Sequence, residues 1–197
     1  MTITAADLTA VILAGGQGRR MGGEDKGLLE FAGKPLIEIL LGKLERQGLS
    51  VLINANRNRE RYASYGHAVI SDQLDDYQGP LAGFAAAMAA VDSSFIVTLP
   101  CDSPLLVDDY AERFIRRQIE SDAAIVVASD GERLQPVHAL IRVDLLPSLQ
   151  QFLDSGDRKI DRWYAACGYV EADFSDCADM FRNINTPQDR ELLEAQS

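Results

Sequence analysis

The residues best suited to chemistry lie together near the start of the chain. Residues 13 to 27 read Leu13-Ala14-Gly15-Gly16-Gln17-Gly18-Arg19-Arg20-Met21-Gly22-Gly23-Glu24-Asp25-Lys26-Gly27, directly after the apolar run Ala10-Val11-Ile12. Glycines let backbone N–H groups turn toward a ligand and let a phosphate come close. Arg19, Arg20 and Lys26 add positive charge. The pattern predicts a loop that holds a triphosphate, with the backbone N–H groups of Gly15, Gly16 and Gly18 as the cradle. Two well-known loops are excluded. A Walker A loop needs a hydroxyl residue after its lysine, and Gly27 stands there. A dinucleotide fingerprint needs a third glycine where Met21 stands.

Other polar groups sit where apolar runs end. Asp102, in Leu99-Pro100-Cys101-Asp102-Ser103-Pro104, follows the most apolar strand-like run. Magnesium takes hard oxygen ligands and usually needs only one or two carboxylates beside phosphates and water, a role that fits Asp102, which reads otherwise as a turn aspartate before Ser103-Pro104. Asn54 and Asn56 end another apolar run, and their amides offer the paired donors and acceptors that read a base edge, or else simple turn chemistry. Asp72 ends a third run, where a carboxylate can accept from a base or a ribose hydroxyl. Gly79-Pro80-Leu81-Ala82-Gly83 reads as a tight turn into a helix, either to admit a flat base or only to start the helix. His67 and His138 form no metal pair, and His138 reads as structural. Cys101 reads as a small buried residue. No Ser/His/Asp or Cys/His set is visible.

Leu-Ala-Gly-Gly-x-x-x-Arg-Met-Gly-Gly-x-Asp-Lys-Gly, followed by Gly33-Lys34-Pro35-Leu36, resembles the signature of the molybdenum cofactor guanylyltransferases. Shorter forms of it occur in many nucleotidyltransferases. The resemblance extends to Pro100-Cys101-Asp102-Ser103-Pro104, Gly79-Pro80-Leu81-Ala82-Gly83 and Asn183-Ile184-Asn185-Thr186-Pro187, and so covers nearly the whole chain. It implies a nucleotide site at Leu13, Ala14, Gly15, Gly16, Gly18, Lys26, Asn54, Asp72 and Asp102, with Mg2+ on Asp102. Arg20, Lys26 and Asp102 become the catalytic candidates, and Asn183 and Asn185 the candidates for the pterin substrate. Asn185 would hold the pterin, ligate the metal or cap the last helix. Arg158, Lys159 and Arg162 form either an anion patch or ordinary helix-surface charge.

The implied reaction is transfer of GMP from GTP to the terminal phosphate of molybdopterin, with release of pyrophosphate. An ionised phosphate needs no base to attack, so positioning and charge stabilisation suffice. Cytidylyl transfer to the same cofactor and a non-catalytic carrier of molybdopterin are the alternatives. GTP and molybdopterin are the expected partners, with transient contact to molybdopterin-synthesis or molybdoenzyme-maturation proteins.

The elements that must position these groups follow from the pattern of the chain. At 197 residues, 47% apolar and 25% charged, it suits one globular domain over residues 1–197. A net charge of −11 argues against nucleic acid or an anionic membrane as partner. The start lacks signal-peptide character, and three cysteines without metal spacing fit a reducing cytoplasm. Strands are expected at residues 9–13, 51–54, 68–70, 95–99, 123–129, 137–141, 169–172 and 182–184. Helices are expected at 35–47, 58–65, 81–91, 108–120, 144–153, 159–166 and 187–195, the last capped by Thr186 and Asp189. This alternation predicts an α/β three-layer sandwich with a mainly parallel sheet, a Rossmann-like nucleotidyltransferase fold. Ligands then bind at the carboxyl ends of the strands, beside the loops after Leu13, Asn54, Ile70 and Leu99.

Overall fold

A computed structural model describes residues 3–16, 24–72 and 79–195. Its strands are β1 (Leu8–Leu13), β2 (Glu30–Phe31), β3 (Lys34–Pro35), β4 (Ser50–Asn54), β5 (Ala68–Ile70), β6 (Phe95–Pro100), β7 (Ile125–Ser129), β8 (Leu134–Arg142) and β9 (Val170–Asp173). Its α-helices are α1 (Leu36–Arg46), α2 (Arg59–Ala63), α3 (Pro80–Ala90), α4 (Tyr110–Ser121), α5 (Leu146–Asp154), α6 (Ile160–Cys167) and α7 (Pro187–Glu194). The main sheet has seven strands in the order β5-β4-β1-β6-β8-β7-β9. All neighbours are parallel except β8, which runs antiparallel to both β6 and β7.

Successive strand residues point to opposite faces, and the two cores obey that period. Ala10, Ile12, Val51, Ile53, Val97 and Leu99 pack with α1, α2 and α4 on one face. Val11, Leu52, Ile96, Val127 and Ile141 pack with α3, α5 and α6 on the other. This is the expected three-layer sandwich. Helix α3 is apolar almost all round, and Leu81, Phe84, Ala87 and Met88 are fully covered, as expected of a helix buried between neighbours.

The carboxyl ends of the parallel strands stay in step beyond the strands themselves. Ala14 N–H donates to Asn54 O (2.8 Å), Ala55 N–H to Ile70 O (2.8 Å) and Cys101 N–H to Leu13 O (3.1 Å). Four loops therefore leave one rim together. The β7–β8 hairpin turns at the same rim, where Asp130 accepts from the backbone N–H of Glu132 and Arg133.

Three expectations are corrected. Residues 182–184 form no strand. Ile184 is buried in irregular chain and donates its N–H to Asp102 O (3.0 Å). Pro35 lies outside its helix, because Glu30 pairs with Pro35 in the small β2–β3 hairpin. The two-residue turn of that hairpin, Ala32 and Gly33, has both residues at positive φ, as a tight hairpin requires. The helix expected from residue 144 begins with a 3-10 turn, Val143–Leu145, before α5. The capping box of Thr186 and Asp189 on α7 is present as expected.

Candidate active site

At the centre of the rim, Lys26 bridges two distant parts of the chain. Its Nζ donates to Asp102 Oδ2 at 2.8 Å and to Asn185 Oδ1 at 2.6 Å. Asp102 follows β6 and Asn185 immediately precedes the cap of α7. The backbone bond from Ile184 to Asp102 holds those two segments together. Ser103 strengthens the same junction by donating its hydroxyl to Asn183 Oδ1 (2.7 Å). The carboxylate of Asp102 is mostly covered, its side chain being 10% exposed. A buried charge of this kind needs a partner, and Lys26 supplies it.

Beside this cluster opens a cleft of about 290 Å³, lined by Leu13, Gly15, Asn54, Asp72, Gly83 and Pro100 among others. One wall is a polar network. Asp72 accepts from Asn54 Nδ2 at 3.0 Å and from Asn56 Nδ2 at 2.8 Å, and its own N–H donates to Asn56 Oδ1 at 2.9 Å. Because the Asn54 amide group is spent on Asp72, its Oδ1 faces Gly83 and Gly15. A Cβ at Gly83 would lie 2.8 Å from Asn54 Oδ1, and one at Gly15 would lie 2.9 Å from Asn56 Nδ2. These glycines are needed for close approach rather than for turning the chain.

The structure brings together Leu13, Ala14, Gly15, Gly16, Lys26, Asn54, Asp72, Asp102 and Asn185, all named from the sequence. Asn183 joins them through Ser103 but is itself exposed. Gly18 and Arg20 lie outside the described residues, as do Arg19 and residues 21–23. The suggested patch of Arg158, Lys159 and Arg162 is locally engaged. Arg158 donates to the carbonyl of Leu153 at the end of α5, and Arg162 pairs with Asp157 at 2.9 Å. His138 is structural. The Tyr110 hydroxyl gives its proton to Thr98 O (2.6 Å), so the 3.1 Å contact makes His138 Nδ1–H the donor to Tyr110. Burial pushes the His138 imidazole down to about 3. Burial and the nearby Asp102 carboxylate raise the Cys101 thiol well above its usual range, so it stays protonated.

Sequence reasoning missed a second set of residues. The side chain of Asp25 is held by the Tyr62 hydroxyl (2.5 Å) and by Asn58 Nδ2 (3.1 Å), and Arg57 Nη2 donates to Gly16 O (3.2 Å). The one signal available was an Asn ahead of a short helix with a tyrosine on its apolar side.

The oxygens of this site suit a hard cation. Lys26 Nζ is itself a cation, and one carboxylate oxygen and one amide oxygen converge on it. Among the described residues no cluster of three or more His, Cys, Asp or Glu forms a cage. Asp102 and Asn185 are the side-chain oxygens here that could hold magnesium beside oxygens of a phosphate ligand, as is its habit in phosphate sites.

A parallel α/β rim carrying a glycine-rich segment, a lysine–carboxylate pair and an amide-lined cleft defines the nucleotide-handling class of α/β proteins. The chain belongs to the MobA-like NTP transferase family, whose model matches residues 10–170. A molybdenum cofactor guanylyltransferase of Shewanella halifaxensis (strain HAW-EB4) is 48% identical to it over 188 residues, covering 95% of this chain and 94% of the relative. In fold it is similar to the molybdopterin-guanine dinucleotide biosynthesis protein A of Archaeoglobus fulgidus, with a TM-score of 0.79 at 22% identity over 95% of this chain and 97% of that one. A Mycobacterium tuberculosis protein solved in complex with manganese has a TM-score of 0.66 at 16% identity, over 96% of this chain and 99% of that one.

Proposed function

We propose that this protein transfers GMP from GTP to the terminal phosphate of molybdopterin, forming the guanine dinucleotide form of the cofactor and releasing pyrophosphate. The relatives named molybdenum cofactor guanylyltransferase support the reaction. The observation that carries the site assignment is Lys26 held between Asp102 and Asn185 at the edge of the Asn54–Asp72 cleft.

In this reading the guanosine lies in the cleft. Asn54 Oδ1 and the Asp72 carboxylate are acceptors, and guanine presents donors on its base edge, so the two match in kind. The phosphates run toward Lys26, with the N–H groups of Gly15 and Gly16, and by extension Gly18, as their cradle. A pterin phosphate oxygen attacks the α-phosphorus in line. The bond from that phosphorus to the bridging oxygen breaks, and pyrophosphate leaves with the electron pair. Lys26 and Arg20 stabilise the charge that grows on pyrophosphate. Asn183 and Asn185, joined to the Asp102 segment through Ser103 and Lys26, are the residues that would meet the acceptor. A bound magnesium ion supplies further neutralisation of the phosphates.

The test is pyrophosphate release with molybdopterin and each of GTP, CTP, ATP and UTP, with and without magnesium. Release with GTP alone, dependent on both pterin and magnesium, is expected. Release with CTP alone overturns the base assignment. No release with any nucleotide, together with tight pterin binding, favours a carrier.

A further inference from the structure

The segment that leads into α2 grips the chain on both sides of residues 17–23. Arg57 reaches Gly16 before them, and Asn58 and Tyr62 reach Asp25 after them. The fit is tight at the next residue but one. A Cβ at Gly27 would lie 2.5 Å from the Tyr62 hydroxyl and 3.3 Å from Cys101 Cβ, so only glycine passes between them. Lys26 is thus flanked by a residue fixed through its carboxylate and a residue fixed through its lack of a side chain.

The Tyr62 ring is fully buried. Asn58 adopts a left-handed conformation (φ 49°), one that asparagine tolerates better than most residues. Asp25 is buried as well, and a covered carboxylate does not stray from its two donors. A lysine side chain has four rotatable bonds and costs entropy to hold in one place. Fixing the backbone on both sides of it sets where that side chain starts, and the bonds to Asp102 and Asn185 then hold its end before any ligand arrives.

From this geometry we infer that Tyr62, assisted by Asn58, is a positioning residue: through Asp25 it aims Lys26 at the phosphate end of the cleft. It touches no substrate. Its consequence for catalysis rests on the reading of Lys26 given above, and its structural part does not.

The first test therefore needs no turnover. Competitive acetylation with acetic anhydride on the nucleotide-free protein, read by mass spectrometry, compares Lys26 with the exposed Lys34 and Lys159. Lys26 is expected to be protected in the natural protein, and to approach the reactivity of Lys159 in Tyr62→Phe and in Asn58→Gly. Phenylalanine keeps the buried ring and removes only the hydroxyl. Glycine keeps the left-handed backbone and removes only the amide, which provides a second variant should the first not fold. Unchanged Lys26 reactivity in both variants overturns the inference.

The second test is a double-variant cycle on steady-state kinetics with GTP. Tyr62→Phe is expected to lower kcat on the order of tenfold in the natural background, as a small misplacement of a charged group does. The same change in a Lys26→Ala background is expected to have almost no effect. Equal factors in both backgrounds show that Tyr62 does not act through Lys26, and overturn the inference. A natural protein that releases no pyrophosphate refutes guanylyl transfer instead, and the labelling result then decides the role of Tyr62.

Discussion

The loop after β6 carries Asp102, and the neighbouring β8 carries His138, yet the two halves of the rim treat buried polar groups in opposite ways. On the His138 side the groups saturate one another. Tyr110 serves Thr98, His138 serves Tyr110, and Asp130 takes two backbone N–H groups and the side chain of Gln135. Arg113 is likewise spent on Asp109 and Asp176. On the Asp102 side the bonded groups border a cleft, which Asn54 and Asp72 line. Asn54 turns its oxygen toward the glycines of the cleft, and Lys26 gathers oxygens at the cleft's edge. A saturated network contributes stability and little else. A network whose acceptors line a cleft is organised for a ligand, and its cost must be offset by the core beneath it.

This contrast can be broken or sharpened by substitution. The largest effect is expected for Lys26→Ala, with kcat/KM for GTP falling about a hundredfold and a lower thermal midpoint, because the covered Asp102 carboxylate loses its partner. Thermal unfolding, and pyrophosphate assays at a temperature where the variant is folded, check it, and a kcat/KM close to the natural value would erase the distinction between the halves. Gly83→Ala comes next. Its methyl group would press on Asn54 Oδ1 at 2.8 Å and on Leu13 Cδ2 at 2.9 Å. The expected outcome is about tenfold weaker GTP binding by calorimetry, at a stability cost of about 1–3 kcal/mol. Tyr110→Phe should show the reverse pattern, losing about 1–3 kcal/mol in urea unfolding because the Thr98 carbonyl and His138 lose their partner, with kcat/KM unchanged. The effect that is smallest near neutral pH is that of His138. An unfolded histidine takes up its proton near 6.5, whereas His138 when folded does so only at about 3. Between those values the unfolded state binds more protons, so stability is fully present above about 6.5 and falls as the pH drops through the window. His138→Gln should flatten that part of the stability–pH curve without moving the activity profile.

Much of this was legible in the sequence because the polar residues stand at the ends of apolar runs. Leu13, Asn54, Asp72 and Asp102 each follow or close a run that became β1, β4, β5 or β6, and parallel strands must bring such positions to one edge. Asn185 came from the family motif, and its bond to Lys26 has no local signature, for the two are 159 residues apart. The antiparallel β8 was not legible, since an apolar run does not carry a direction. Nor was the role of Tyr62. Its spacing marks it as a core residue, and only the folded chain places its hydroxyl against Asp25. The short strand expected at residues 182–184 failed for a related reason. Ile184 is apolar because it is buried against Phe31, Leu36 and Leu193, and its one backbone bond to Asp102 is part of no ladder.

That bond from Ile184 also joins a late part of the chain to an early one. A ribosome makes every described strand of the sheet, and the cleft residues Leu13, Asn54 and Asp72, before it reaches Asn185. A chain that stops short of that residue lacks the amide oxygen that meets Lys26 Nζ. The setting of Lys26 is therefore finished only by a late stretch of the polypeptide.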